Sequence, residues 1–502
     1  MKVKRSNYVL ENYNISDSDE MANKKKVKKY DIQKLVKNST EPNVWKDHID
    51  NDLMKFWEKD ALELQGGLFP TYLTNEGKRL SENFDEWPEE FKSALEDEVT
   101  KGLVTPEYNF VRAHSRLTYA NGIAYHVTGK EEYLRQCKKG VEALIGAMDG
   151  NHGMFTVQEK KSGKWGVPRG ERTSQDLAYG LTGLCMYYFL THDETVLYHI
   201  IKTKNYIFDT YFDKGKGFFT WLPKDNINNS LEIVAQLDQV YAYMLFITPS
   251  LPEPYKSEWK NNLKEIADIL IYRFYSERYE FFWGQGNATS VQQLGTDHTD
   301  FGHSVKTMWL IMRIGVLLND MTYVIFAREK IDRILKEAYI SEDKCWGRRF
   351  DEDGRMDKDK EWWILAELDQ ATAILALNDP SYLQYLNHTY EYWFNYMVDH
   401  ENGEIWHMVD GKTNQPVINY PKAHSWKTSL HSFEHALFGY MTSSQIKDMN
   451  FSLYYAFSKS DDIESAKPYI FEANKLTSEV YHELSFMEDG NRVTKITYNT
   501  LR

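Results

Sequence analysis

Cysteine is scarce in this chain of 502 residues. It has three cysteines, Cys137, Cys185 and Cys345, and their positions lack the short spacings of zinc ligands. An odd number also argues against a disulfide framework. The sequence has no Gly-rich phosphate loop, no zinc motif and no Gly-x-Ser-x-Gly elbow. We therefore predict that the protein uses no metal, nucleotide or other cofactor.

An excess of positive charge is also missing. The chain has 60 Lys and Arg against 74 Asp and Glu, a formal net charge of −14. Nucleic acids and anionic membrane surfaces both need a basic patch, so neither is an expected partner. No apolar run reaches membrane-spanning length, and residues 1–50 are polar and Lys-rich, unlike a signal peptide. These observations predict a soluble cytoplasmic protein, with a homodimer among the assemblies considered.

Hydrophobic residues make up 42% of the chain and aromatic residues 15%, enough for a large core. The composition suggests three parts. Residues 1–44 are charged and predict a flexible tail. Residues 45–450 carry apolar residues at helical spacings of three and four. Residues 451–502 form a C-terminal extension, in which 468–486 predicts one or two helices and 492–498 a short strand.

A repeated unit organises residues 45–450. Pairs of predicted helices alternate with short aromatic segments that contain turn residues. A helix pair and a hairpin-like loop, repeated six times, predict an all-α fold, an (α/α)6 barrel with its aromatic loops at one mouth. A helical solenoid is the alternative. The six segments are 66–69 (beginning at Gly66), 153–155, 217–219, 281–284, 346–350 and 403–406.

Two histidines each open a helix-like segment. His303 follows Gly302, and His431 lies about 130 residues further on. Charged residues follow each of them at a spacing of three, Lys306 and Glu434, and therefore lie on the same helical face as the histidine. Because histidine titrates near neutral pH, two of them in one pocket could remove and return a proton at a carbon atom.

Carboxylates offer a second interpretation. A glycoside hydrolase on a helical barrel needs two carboxylates across its pocket. We consider four candidates, although helix caps and ion pairs explain most such residues. The polar run 297–300 before His303 is interpreted as a helix cap, with a pocket loop as the alternative. The candidates are Asp238, Asp300, Glu367 and Asp369.

The order of these motifs resembles the N-acylglucosamine 2-epimerase superfamily, which includes cellobiose 2-epimerases and mannose isomerases. Gly302-His303 resembles the family's Gly-His before an apolar helix. The segment 362–367, Trp-Trp-Ile-Leu-Ala-Glu, is similar to its Trp-Trp-Val-Gln-Ala-Glu. Trp426-Lys427 with His431 is similar to its Trp-Lys-Cys-Pro-Tyr-His. Arg116 resembles an Arg at the start of an inner helix.

The resemblance implies an (α/α)6 barrel over about 45–450. It also implies a sugar 2-epimerase or aldose–ketose isomerase that transfers a proton at C2 of an open-chain sugar. His303 and His431 match the family's acid/base pair. The substrate would be a mono- or oligosaccharide, bound by residues that match or neighbour the family's motifs: Arg116, Trp362, Trp363, Glu367, Trp426, Lys306 and Gln236.

Three positions depart from the family's pattern. Lys306 stands where the family has Glu, and Glu434 stands where it has Arg. Gln236 aligns near a third family histidine that is associated with ring opening. If the two helices are neighbours, Lys306 and Glu434 should form an ion pair. Otherwise Lys306 is a substrate-binding candidate. These departures keep two alternatives open, the glycoside hydrolase and a non-catalytic sugar-binding protein.

Overall fold

The structure, a computed structural model, describes residues 31–58, 67–151, 153–168, 171–286, 294–458, 463, 466–487 and 490–502. Most of the predicted tail, 1–30, and Gly66 lie outside these residues. Residues 31–44 are described and are largely helical. Among the described residues, every helix is too short or too polar to cross a membrane.

Sixteen α-helices are found in the described residues. In chain order they are α1 (Ile32–Asn38), α2 (Pro42–His48), α3 (Met54–Trp57), α4 (Glu89–Thr100), α5 (Val111–Thr128), α6 (Glu131–Gly146), α7 (Ser174–Thr191), α8 (Glu194–Tyr211), α9 (Ile233–Gln239), α10 (Leu245–Ile247), α11 (Tyr255–Phe274), α12 (Phe301–Leu318), α13 (Met321–Ala338), α14 (Trp362–Ala376), α15 (Leu383–Tyr392) and α16 (Leu430–Ile446). The π-helical segments Ile49–Leu53 and Val240–Met244 connect α2 to α3 and α9 to α10, and Trp393–Met397 extends α15.

These helices form a closed double ring. The inner ring consists of α5, α7, the α9–α10 segment, α12, α14 and α16, and α16 returns to pack against α5. Its helices are buried on nearly all sides, as expected for helices that are apolar around their circumference. The outer helices α6, α8, α11, α13 and α15, with α2–α3, bury only one face. The predicted (α/α)6 barrel is confirmed, and the ring closure is not that of a solenoid.

Short antiparallel strands accompany the helices: β1 (Tyr108–Phe110), β2 (Val157–Glu159), β3 (Trp165–Gly166), β4 (Phe212–Asp213), β5 (Phe218–Phe219), β6 (Tyr275–Ser276), β7 (Phe281–Phe282), β8 (Tyr339–Ile340), β9 (Cys345–Trp346), β10 (Arg349–Phe350), β11 (Met356–Asp357), β12 (Lys360–Glu361), β13 (Met408–Val409), β14 (Phe451–Tyr455), β15 (Asn474–Glu483) and β16 (Arg492–Asn499). The hairpins β4–β5, β6–β7 and β8–β9 follow the outer helices α8, α11 and α13.

The aromatic rings of these hairpins pack into the core. Phe219, Phe282 and Trp346 are fully buried, because apolar rings at the junction of two helices find helix side chains on every side. The segment 346–350 contributes Arg348 and Arg349 to the central cavity instead. The loops thus shape the cavity mainly through their polar residues.

The C-terminal extension is a three-stranded antiparallel sheet in the order β14-β16-β15. The prediction of helices over 468–486 was wrong, because β15 pairs with β16 along most of its length. The predicted strand at 492–498 is confirmed by β16. The sheet is anchored to the barrel through β14, where the Tyr125 hydroxyl of α5 donates to the Tyr455 carbonyl at 2.7 Å.

Candidate active site

A cavity of about 730 Å³ lies where the inner helices begin. Because helix N-termini carry partial positive charge, their convergence favours an anionic group inside the cavity. Of the predicted site residues, Glu367 and Gln236 do not line it. Seven others do: Arg116, His303, Lys306, Trp362, Trp363, Trp426 and His431.

His303 has a carboxylate partner in its own helix start. Asp300 caps α12 by accepting from the His303 backbone N–H at 2.7 Å, and its other oxygen is 2.6 Å from His303 Nδ1. Burial alone would raise the pKa of Asp300, but the adjacent His303 outweighs it and the net shift is downward. An ionised Asp300 only accepts, so Nδ1 carries the hydrogen and Nε2 is left as a base.

His431 has partners from other elements. Its Nδ1 lies 3.1 Å from the Tyr241 hydroxyl and 3.3 Å from a Glu367 oxygen. The Tyr241 ring stacks on His431 with an interplanar angle of 13°. Tyr241 stands in a π-helical segment, a local feature that is frequent at functional sites. Burial, with the nearby Lys306 and Arg116 charges, holds the pKa of His431 well below its usual value.

Trp363 lies beside both histidines. Its ring centroid is 4.5 Å from that of His303 and 6.0 Å from that of His431. Its indole N–H donates to Glu361 at 2.8 Å, which fixes the ring orientation. A Cβ atom at Gly302 would approach Trp363 to 2.6 Å, so the glycine of the Gly-His pair is required for this close contact. The two histidines therefore face one common space.

Lys306 and Glu434 do not form the predicted ion pair. Lys306 Nζ lies 3.9 Å from Asp238 and over the ring of Tyr241 at 4.5 Å. Glu434 instead accepts hydrogen bonds of 2.8 Å from the hydroxyls of Tyr241 and Tyr469. Lys306 lies on α12 and Glu434 on α16, and α14 packs between these two helices. Each side chain therefore meets partners from other elements. Burial is the main cause that lowers the pKa of His303, and the Lys306 charge lowers it further.

Glu367 and Glu434 form a buried carboxylate pair below His431. Burial raises the pKa of both carboxyls, and the Glu367 charge raises that of Glu434 further. The arrangement favours one proton held by the pair. Within the described part of the chain, Glu367, His431 and Glu434 are also the one group of such side chains able to hold a metal ion, with ligand atoms within 4.8 Å.

Gln236 is used structurally. Its amide bonds both the N–H and the carbonyl of Phe219, at 2.8 and 2.6 Å, and it holds β5 against α9. The side chain is therefore hydrogen-bonded to the backbone of β5 and does not line the cavity. Asp238, two residues later, lines the cavity and accepts from Gln175 and Tyr179.

The remaining predicted residues form one wall. The Arg116 guanidinium donates to the Trp426 carbonyl at 2.7 Å and lies 3.8 Å above the Tyr179 ring. Its Nε has no hydrogen-bond partner among the described residues. Trp362 packs on His407 with a centroid distance of 4.7 Å. This wall therefore presents flat aromatic rings beside the Arg116 guanidinium.

Some residues at or behind the cavity carry no motif. Tyr179 and Tyr241 come from the middle of inner-helix segments, where a tyrosine is indistinguishable from a packing residue in the sequence. The run 297–300 does more than cap α12, since Asp297, His298 and Asp300 also line the cavity. Four polar residues shortly before His303 were the one sequence feature that could have indicated a cavity-lining role for this run.

Comparison with known proteins bears on the family resemblance and on the fold. The sequence profile of the N-acylglucosamine 2-epimerase (GlcNAc 2-epimerase) family matches residues 253–430. That range includes His303 and the Trp362–Trp363 pair. The match bears out the resemblance to this superfamily and supports the predicted class, an isomerase-class carbohydrate enzyme. No curated protein matches the sequence of the chain.

Solved structures share the fold at low sequence identity. Cellobiose 2-epimerase from Bacillus thermoamylovorans is 17% identical, with a TM-score of 0.65, over 80% of this chain and 98% of its own. A D-mannose isomerase is 15% identical, with a TM-score of 0.65, over 81% and 98%. A GH76 α-mannanase from Bacteroides thetaiotaomicron is 11% identical, with a TM-score of 0.51, over 82% and 98%. At these identities the likeness concerns the barrel itself.

Proposed function

We propose that the protein is a sugar 2-epimerase or aldose–ketose isomerase. The single observation that carries the proposal is the pair of histidines on one cavity, each with Nδ1 engaged behind it. Each imidazole can then offer Nε2 to a substrate. The match to the family profile, and neighbours described as a cellobiose 2-epimerase and a mannose isomerase, support the same substrate class.

The chemistry follows from the two partners. His303, held by ionised Asp300, is suited to remove the C2 proton of an open-chain sugar, which leaves an enediolate. For epimerisation, His431 takes up a proton from water and delivers it to the other face of C2, while His303 releases the abstracted proton to water. Return of the abstracted proton from His303 to C1 gives the isomerised ketose. The Lys306 ammonium, buried and 3.9 Å from Asp238, supplies positive charge for the enediolate oxygen.

The carboxylates give less support to a hydrolase. Glu367 is fully buried and accepts from the Trp309 indole at 2.9 Å. Asp369 accepts from Trp346 and Thr389, away from the cavity. Asp238 and Asp300 do line the cavity, but Asp300 is committed to His303. A non-catalytic sugar-binding protein would not need the Asp300–His303 pair.

The test is deuterium uptake. The protein is incubated in heavy water with mannose, glucose and cellobiose, and the C2 position is followed by NMR. We expect deuterium at C2 and formation of the epimer or the ketose. Release of the phenol from aryl mannosides without C2 exchange would favour the hydrolase. Sugar binding without either reaction would favour the non-catalytic protein.

A further inference from the structure

A chain of hydrogen bonds runs from the C-terminal segment to His431. The Tyr469 hydroxyl donates to Glu434 Oε1 at 2.8 Å, and the Tyr241 hydroxyl donates to Glu434 Oε2 at 2.8 Å. Tyr241 in turn meets His431 Nδ1 at 3.1 Å. All four residues are buried. We call this set, Tyr469–Glu434–Tyr241–His431, the relay.

Tyr469 comes from outside the double ring. It lies between β14 and β15, and its ring is inserted among Phe189, Phe246 and Phe438 of the inner ring. Its backbone has φ of 56°, a left-handed conformation that is a genuine outlier for a bulky residue. Such strain persists only where the surroundings hold it, and it clusters at functional sites.

The direction of the bonds decides the histidine tautomer. Tyr241 has a single hydroxyl hydrogen, which it donates to Glu434 when that carboxylate is ionised. Its oxygen then accepts from His431 Nδ1, which also lies 3.3 Å from a Glu367 oxygen, so that nitrogen carries hydrogen and Nε2 is free as a base. Glu434 can keep Tyr241 in this direction as long as its other oxygen is satisfied. Tyr469 is the closest donor to that oxygen, since Tyr119 lies at 3.4 Å.

We infer that Tyr469 is a positioning residue: through Glu434 and Tyr241 it fixes the His431 tautomer with hydrogen on Nδ1. This inference rests on the proposed function, because it assigns His431 a proton-transfer role. It gives the C-terminal extension a part in that role. The groups that face Glu434 come from α5, the π-helical segment, α14 and the C-terminal segment: Tyr119, Tyr241, Glu367, Gln370 and Tyr469.

The decisive variant is Tyr469→Phe, which removes one hydroxyl and keeps the ring. The matched control is Tyr125→Phe, since Tyr125 is also a buried tyrosine that bonds the C-terminal sheet but stands outside the relay. We expect Tyr469→Phe to lower kcat of C2 exchange about tenfold with little change in KM. The control should keep the parent kcat. The pH profile of kcat/KM should shift in Tyr469→Phe alone.

The tautomer is read directly in protein labelled with ¹⁵N-histidine. Protonated and bare ring nitrogens resonate apart, and His431→Asn assigns the signal. We expect the parent to carry hydrogen on Nδ1 of His431, and Tyr469→Phe and Glu434→Gln to show a mixture or the other tautomer. If Tyr469→Phe does not fold, Glu434→Gln, which keeps the shape of the side chain, carries the test.

The two proposals fail differently. A parent protein with no C2 exchange but with the expected tautomer contradicts the proposed function and leaves the relay standing. If Tyr469→Phe and Glu434→Gln both retain the parent tautomer signal and pH profile, Tyr469 is a packing residue and the inference is wrong.

Discussion

His303 and His431 occupy equivalent places, each in the first turns of an inner helix, yet they are supported in opposite ways. The partner of His303 is Asp300, three residues earlier, which also caps the same helix. The partners of His431 are Tyr241, from a π-helical segment 190 residues away, and Glu367 of α14. One imidazole is held by local structure and the other by the tertiary fold.

Substitutions near the two histidines should therefore have different effects. The Asp300–His303 unit forms as soon as α12 begins, because the cap and the ring partner are one side chain. The His431 environment exists only when the π-helical segment Val240–Met244, α14, α16 and the C-terminal segment are assembled. We therefore expect changes near His303 to act mainly on chemistry, and changes near His431 to act on chemistry and stability together.

The largest effect should come from the two rings themselves. His303→Asn and His431→Asn should each lower C2 exchange by at least about 100-fold, because each removes a general acid/base. The melting temperature of His303→Asn should stay near that of the parent protein. The measurement is deuterium uptake by NMR, with thermal melting alongside. Parent-like exchange in both variants would make the histidine pair structural.

The variant Asp300→Asn tests whether His303 depends on its partner in the same helix start. Asparagine caps helices as well as aspartate does, so the stability of α12 should be retained. The amide would donate to Nδ1 and favour the wrong tautomer, so exchange should fall about 100-fold. Asp193→Asn, the same change at the cap of the outer helix α8, is the matched control. An equal loss in both variants would mean that capping alone is responsible.

Features that depend on local sequence were the ones that the sequence could predict. The six-fold repetition and the apolar spacing were sufficient to predict the barrel, because the buried face of each helix is visible in the spacing of its own apolar residues. The motifs at helix starts and the family resemblance predicted His303, Trp363 and His431 as site residues, and the structure brings these three side chains to one cavity. Lys306 was expected to face Glu434, and sequence spacing could not identify which inner helix each would meet.

The C-terminal sheet and Tyr469 show the other limit. β15 is an edge strand with half-exposed apolar residues such as Leu476, Val480 and Tyr481, so its pattern resembles that of an amphipathic helix. Its conformation is decided by pairing with β16. The role of Tyr469 depends on its hydrogen bond to Glu434, 35 residues earlier, and on a left-handed backbone conformation. Neither feature can be recognised in the sequence.

Lys306→Met should have an intermediate effect and should act on both histidines at once. The Lys306 charge adds to burial in lowering the pKa of His303 and of His431. Its loss raises both pKa values, so the basic forms are lost at a higher pH. The acid limb of kcat/KM should move upward, and kcat should fall about tenfold. Lys204→Met, at a buried lysine of α8 paired with Glu258, is the control, and an unmoved acid limb in Lys306→Met would contradict the assignment.

The smallest expected effect is on the stability of the protein, and it comes from Glu434, which lies beside His431. Burial raises the pKa of Glu434 above its ordinary value of 4.5, and its proximity to Glu367 raises it further. A group with a raised pKa in the folded state contributes stability that is fully present below the ordinary pKa and is lost as pH rises through the folded value. The parent protein should therefore lose stability from about pH 5 to about pH 8.

Glu434→Gln removes one of the two carboxylates, so its melting temperature should fall less over the same interval. The loss of unfolding free energy over this interval should be smaller than in the parent protein by about 1 to 3 kcal/mol. Glu404→Gln is the matched control: Glu404 is equally buried, but it lies 3.9 Å from the Lys427 ammonium rather than beside a second carboxylate. The flatter profile should appear in Glu434→Gln alone. If both variants flatten it, the loss reflects buried glutamates in general, and the shared proton below His431 is contradicted.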